Sequence, residues 1–298
     1  MGRGSLRRIS IVSAVLAALT LAAAAPSASA GERHGRVTMA ALGDSYSSGV
    51  GTPDPDPSIP DCYRTPYAWP NLVGDQLGWQ VHNLACSGAQ TTDITAPYGG
   101  QEAQTALLAE IRPRPKVVTI TIGGNDVGFA PVLAACVRGD CVSNVAEGER
   151  QILTTLPGRL ATTYRAVEAA DPRARLVVVG YPRLFPTDAS AVTGCPWLSD
   201  AERTSLNEAS ALLNAVIAAE AWLAGATFVD VSGASAGHEL CTADSWFVPL
   251  TDPGGAHPTI EGQHAIADIV ADRLAGLRLT PSYPRAGRVH LPALPAAS

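Results

Sequence analysis

Lysine is almost missing from this 298-residue chain: Lys116 stands alone among 21 basic side chains, against 27 acidic ones. Aromatic residues make up 5% and methionine occurs twice. No basic stripe runs along any segment, so neither nucleic acid nor an anionic membrane surface is expected as an electrostatic partner. No Cys-x2-Cys pair occurs, which argues against a thiolate metal site. Beyond residue 25 no apolar run approaches the roughly 20 residues that span a bilayer, so no integral membrane segment is expected in the mature chain.

The one long apolar run, from about Ile9 to Ala25, follows three arginines and precedes Ala28-Ser29-Ala30. That order predicts a secretory signal peptide at residues 1–30, cleaved after Ala30, and hence a secreted, extracellular protein. Its removal takes away three arginines and no acid, moving the formal net charge from −6 to −9. The six cysteines form an even set in an exported chain and argue for three disulfides. Six cysteines allow fifteen pairings. Cys136 and Cys141 flank a four-residue loop they can close locally, and chain order then favours Cys62–Cys86 and Cys195–Cys241.

Short apolar runs at 37–42, 80–84, 117–122, 175–180 and 226–231 read as buried parallel strands. Amphipathic or Ala-rich segments near 67–77, 101–111, 144–170, 199–224 and 259–276 read as helices between them. This alternation predicts an α/β class fold, a three-layer sandwich around a mostly parallel five-stranded sheet. No linker or repeat interrupts it, so one domain at 31–279 is expected, followed by a proline-rich tail at 280–298. Nothing in the chain requires more than a monomer.

Ligands of such sheets sit at the carboxyl ends of the strands, which makes the loops there the place to look. The first strand runs into Gly43-Asp44-Ser45, the second into a loop holding Gly88, and the third into Gly123-Gly124-Asn125-Asp126. His257 precedes Pro258 and the last helix, on a connection that proline stiffens. His264 lies seven residues on, within that helix. Each loop alone reads equally as a turn or a helix cap. Together the three strand-end loops supply a serine and backbone and amide donors at one sheet edge, and His257 adds an imidazole.

In that order, Gly-Asp-Ser, Gly, Gly-Asn-Asp and His-Pro resemble the SGNH hydrolases, also called GDSL esterases and lipases. The likeness runs from Leu42 to about Leu277. The form GDSYSSG and the cysteine layout are similar to the actinobacterial secreted lipase, phospholipase and esterase branch, where three sequential disulfides are usual. The resemblance implies a flavodoxin-like fold and carboxylic ester hydrolysis with no metal or cofactor. It implies Ser45 as nucleophile and His257 as general base, with the N–H groups of Ser45 and Gly88 and the Asn125 amide as oxyanion hole.

The family pattern Asp-x-x-His is broken here, because Gly254 stands three residues before His257. Either a backbone carbonyl of Gly254 or Gly255 orients the imidazole, giving a Ser–His dyad, or Asp252 folds back to do so. A rival serine also exists. Gly233-Ala234-Ser235-Ala236-Gly237 spells the nucleophile-elbow pattern, but the residues after it lack the helical apolar period an elbow requires.

The expected substrate is a small-molecule or lipid ester: a triacylglycerol or a short-to-medium acyl ester. A phospholipid or an acetylated carbohydrate is the alternative within the same chemistry, and a catalytically silent binding protein is the alternative outside it. Val127, Phe129, Val132 and Leu133 read either as an acyl-pocket lining or as helix core. Tyr63, Tyr67 and Trp69, on the long acidic loop after Ser45, read either as a groove rim or as packing for the next helix.

Overall fold

The computed structural model describes residues 37–277; the expected leader at 1–30 and the tail at 280–298 lie outside the described residues. Five strands, β1 (Thr38–Gly43), β2 (Gln80–Asn83), β3 (Val117–Thr121), β4 (Arg175–Val179) and β5 (Thr227–Val229), pair in the order β2-β1-β3-β4-β5, every pair parallel. Parallel strands need long crossovers, and helices supply them. They are α1 (Ser45–Ser48), α2 (Trp69–Leu77), α3 (Gln104–Glu110), α4 (Phe129–Arg138), α5 (Val142–Thr154), α6 (Leu156–Ala170), α7 (Asp200–Leu223) and α8 (Ile260–Ala275).

Side chains alternate across the sheet and give each face its own core. Ala40, Leu42, Val118, Ile120, Leu176 and Val178 pack with residues of α3, α5, α6 and α7. Met39, Val117, Val177 and Val179 pack on the other face with α2 and α8. Both faces being covered explains why β1, β3 and β4 read as mainly apolar runs; β2, expected to be buried, is instead half-exposed at the sheet edge with Gln80, His82 and Asn83. The expected three-layer α/β sandwich with a five-stranded parallel sheet is what the structure contains.

Three further expectations are corrected. The fifth strand, expected over 226–231, keeps its ladder only from Thr227 to Val229, where β4 offers partners from Val177 to Val179. The single helix expected over 144–170 is two, parted at Thr155, because Pro157 has no N–H for a continuous i→i−4 ladder and is tolerated in the first turn of α6. Helix α4 was not anticipated as a separate element. Its apolar residues follow Gly128, whose φ of 73° breaks the chain between the Asn125 turn and the helix.

The sheet order sets the position of the site. From β1 the chain crosses first to β2 and later to β3 on the opposite side, so the crevice opens at the carboxyl ends of β1 and β3. Ser45 follows β1 and Asn125 follows β3.

Candidate active site

The serine turn is pinned from three sides. Asp44 caps α1, its carboxylate accepting the Tyr46 N–H at 3.0 Å. The Asp44 N–H donates to the Thr121 carbonyl of β3 at 3.1 Å. The Gln104 side-chain amide holds Gly43 at both ends, accepting its N–H at 2.8 Å and donating to its carbonyl at 2.9 Å. Gly43 itself must be glycine: its φ is +129°, and a Cβ there would meet the Thr121 oxygen at 2.2 Å. From this turn the Ser45 hydroxyl reaches His257 Nε2 at 2.7 Å.

His257 Nδ1 lies 2.9 Å from the Gly254 carbonyl. A carbonyl only accepts, so Nδ1 carries the proton and Nε2 presents its lone pair to the serine. Burial pushes the imidazole below its ordinary pKa, opposed by the Gly254 and Gly255 backbone. Asp252 is exposed, its carboxylate accepting from Thr251 Oγ1, and is not brought to the ring. The segment carrying the histidine is clamped as a short antiparallel bridge. Ala256 N–H donates to Val248, Val248 N–H to the His257 carbonyl, and Phe247 faces Pro258. Ala256 sits at φ 65°, and the Tyr46 hydroxyl donates to its carbonyl at 2.7 Å.

The two donor loops are tied to each other. Asn125 Nδ2 donates to the Ala89 carbonyl at 3.0 Å, leaving the second amide hydrogen for a ligand. The neighbouring Asp126 accepts from the Thr91 N–H at 2.9 Å and hydroxyl at 2.5 Å, and from Arg159 at 3.2 Å. Among the described residues the N–H groups of Ser45 and Gly88 have no acceptor. Gly88 has φ +80°, and a Cβ there would lie 2.7 Å from the Tyr98 hydroxyl. The structure therefore brings Ser45, His257, Gly254, Gly88 and Asn125 to one sheet edge.

The disulfides join Cys62–Cys86, Cys136–Cys141 and Cys195–Cys241. Cys62–Cys86 bears on the site, because Cys86 lies two residues before Gly88 and Ser87 N–H donates to the Cys62 carbonyl. The rival Ser235 lies elsewhere, in a run of turns after β5; its buried hydroxyl donates to the Arg183 carbonyl at 2.9 Å. His264 is exposed on α8. Trp69 is buried against the α8 face of the sheet, so it packs helix α2 rather than rimming a groove.

One group escaped sequence reasoning. Tyr181, just past β4, donates to the Asp44 carboxylate at 2.6 Å and accepts the Gly124 N–H at 3.0 Å. Burial pushes Asp44 up to about 7, the Tyr181 and Tyr46 hydrogen bonds opposing the rise. The available signal was the position of Tyr181 at a strand's carboxyl end. Beside these tyrosines, an apolar cavity of about 50 Å³ lies among α4, α5 and α7. Val127, Phe129 and Val132 line it; Leu133 belongs to the core with Phe185 and Leu198.

A model of the GDSL-like Lipase/Acylhydrolase family matches residues 41–265. This chain belongs to that family. It is 40% identical over 261 residues to Lipase 1 of Streptomyces coelicolor, covering 85% of this chain and 91% of the relative. Among solved structures it is similar to an extracellular lipase from Streptomyces rimosus, with 36% identity and a TM-score of 0.71, covering 80% of this chain and 99% of that one. A phospholipase A1 from Streptomyces albidoflavus gives 36% identity and a TM-score of 0.70, again over 80% and 99%.

Proposed function

We propose that this chain is a secreted serine esterase of the lipase type, acting on carboxylic esters through an acyl-enzyme on Ser45. The observation that carries the reading is the line Gly254 carbonyl, His257, Ser45, with contacts of 2.9 and 2.7 Å. In the first step Ser45 Oγ attacks the ester carbonyl and its proton passes to His257 Nε2. Negative charge develops on the carbonyl oxygen, where the N–H groups of Ser45 and Gly88 and the Asn125 amide converge. The imidazolium then protonates the leaving alcohol. Water, deprotonated by the same ring, attacks the acyl-enzyme and restores the serine.

Gly254 performs the orienting part usually given to a carboxylate. A carbonyl fixes the tautomer as well as a carboxylate does, but it offers the imidazolium a dipole rather than a full charge. Removal of residues 1–30 would release the single hydrolase domain at 31–279 to the outside of the cell, in keeping with the extracellular lipase of Streptomyces rimosus to which it is similar.

The substrate is an uncharged acyl ester. The cavity beside Gly124 and Tyr46, chain neighbours of Asn125 and Ser45, is apolar and holds only a few water-sized groups. That size favours short-to-medium acyl chains. Hydrolysis of a nitrophenyl ester series from acetyl to palmitoyl tests it: a maximum between butyryl and octanoyl supports this reading, and a maximum at palmitoyl contradicts it. Similarity to a phospholipase A1 supports a second reading, which fatty-acid release from phosphatidylcholine vesicles at a rate matching the glyceride rate would favour.

A further inference from the structure

We propose that Tyr181 is a positioning residue for this reaction, its one hydroxyl tying the nucleophile turn to the loop that carries Asn125. The inference rests on the reading of Ser45 given above. The Gly124 N–H donates to Tyr181 Oη at 3.0 Å, and Tyr181 O–H donates to Asp44 Oδ2 at 2.6 Å. Gly124 precedes Asn125, and Asp44 precedes Ser45. A hydroxyl from the end of β4 thus spans the crevice between β1 and β3.

Tyr181 is itself held firmly. The Asn214 side chain pairs with its backbone N–H at 2.9 Å and its carbonyl at 2.8 Å. Its ring meets Tyr46 edge-on at 5.1 Å. A phenylalanine would fill the same space, so the hydroxyl is there for what it bonds. An oxyanion hole works only when its donors are fixed relative to the nucleophile before charge develops, and this bridge fixes that distance.

Hydrogen counting shows which state of Asp44 the bridge needs. The tyrosine has one proton, and its oxygen already accepts from Gly124, so its O–H must go to Asp44. The other carboxylate oxygen accepts from the Tyr46 N–H. Both oxygens are therefore acceptors, which the ionised carboxylate satisfies. Protonation at Oδ2 turns that contact round, the carboxylic O–H donating to Tyr181 Oη, and the buried phenolic hydrogen then loses its acceptor. The other titratable groups around Asp44 are Tyr46, whose ring lies 5.3 Å from that of His257, and Asp126, which is ion-paired with Arg159.

Burial brings Asp44 up to about 7 and pushes His257 below its ordinary value, so burial moves the two groups in opposite directions. Tyr181→Phe removes a bond that favours the carboxylate and moves Asp44 higher still. Asp44→Asn imitates the protonated form and titrates nowhere.

The test is kcat and KM against pH 5–9 on a nitrophenyl ester for wild type, Tyr181→Phe, Asp44→Asn and Ser45→Ala, with folding followed by near-ultraviolet circular dichroism. Wild type should show an acid limb near 7. Tyr181→Phe should lose roughly ten- to a hundredfold in kcat, with KM within about twofold, and should lose the limb near 7 because the bridge that needs ionised Asp44 is gone. Asp44→Asn should have a lowered plateau and a single limb, that of His257. A wild-type acid limb that is the same in both variants overturns the inference, as does an equal loss at every pH. Should Tyr181→Phe fail to fold, the wild-type and Asp44→Asn profiles decide it. Activity that survives Ser45→Ala overturns the function reading, and the inference with it.

Discussion

The imidazole of His257 is oriented by the backbone of Gly254, three residues upstream in the chain, with Nδ1 to carbonyl oxygen at 2.9 Å. Asp252, the nearest preceding acid, is exposed and turned to Thr251. Asp252→Asn is therefore expected to keep kcat within about twofold of wild type, whereas His257→Gln should lose at least about a thousandfold. Steady-state rates at pH 8, where wild-type His257 is neutral, give the comparison.

The Asn125 amide donates to Ala89 at 3.0 Å and keeps a second hydrogen, which the proposed mechanism assigns to the oxyanion. Asn125→Ala removes both. A loss of about 10²–10³ in kcat is expected, with a smaller change in KM, because the missing interaction is made in the transition state. Asn125→Asp should be at least as damaging, since it sets a negative charge where one develops.

Gly88 cannot be replaced without strain. Gly88→Ala places a Cβ at φ +80° and 2.7 Å from the Tyr98 hydroxyl. Destabilisation of about 1–2 kcal/mol is expected from the backbone alone, with a fall in kcat as the turn shifts. Chemical denaturation read beside activity measures both.

The nearby Cys62–Cys86 bridge closes a span of 24 residues. Replacing both cysteines by serine should cost about 3 kcal/mol, mainly by freeing the unfolded chain. It should also lower kcat, since the bridge anchors the Gly88 turn. Losing Cys195–Cys241 should reach the site only through the segment that clamps His257.

Asp44 ties function to a pH-dependent stability. Its pKa is about 7 when folded and 3.8 as a free side chain, so between those values the folded chain holds a proton the unfolded chain has released. Its contribution is fully present below about pH 3.8 and is lost as pH rises through about 7, on the order of 4 kcal/mol in all. His257, with a lowered folded pKa, has the opposite sign: its contribution is present above 6.5 and falls away below. The difference in unfolding free energy between wild type and Asp44→Asn cancels the histidine. That difference should change steadily from pH 4 to 7, with wild type losing ground.

How much of this was legible in the sequence varies by physical cause. The strands could be read because both sheet faces are buried, leaving runs such as Val117–Thr121 wholly buried and β-branched throughout. Ser45, Gly88 and Asn125 could be located because strand ends deliver their loops to one edge, and His257 because it stands before Pro258 at the start of the last helix. The break at Thr155 is hidden because the apolar period of α5 continues across it into α6, leaving Pro157 as its one local mark. Asp44 looked like an ordinary helix cap, which it is; its partnership with Tyr181 spans 137 residues and leaves no local pattern. The choice between Gly254 and Asp252 turned on how one glycine turn folds, and spacing alone is blind to that.

Hydrolysis of a short nitrophenyl ester by wild type, Ser45→Ala and Ser235→Ala tests the central claim most directly. Ser45→Ala should abolish turnover while Ser235→Ala, whose lost hydroxyl bonds only the Arg183 carbonyl, keeps it. Turnover that survives in Ser45→Ala and disappears in Ser235→Ala would contradict the account.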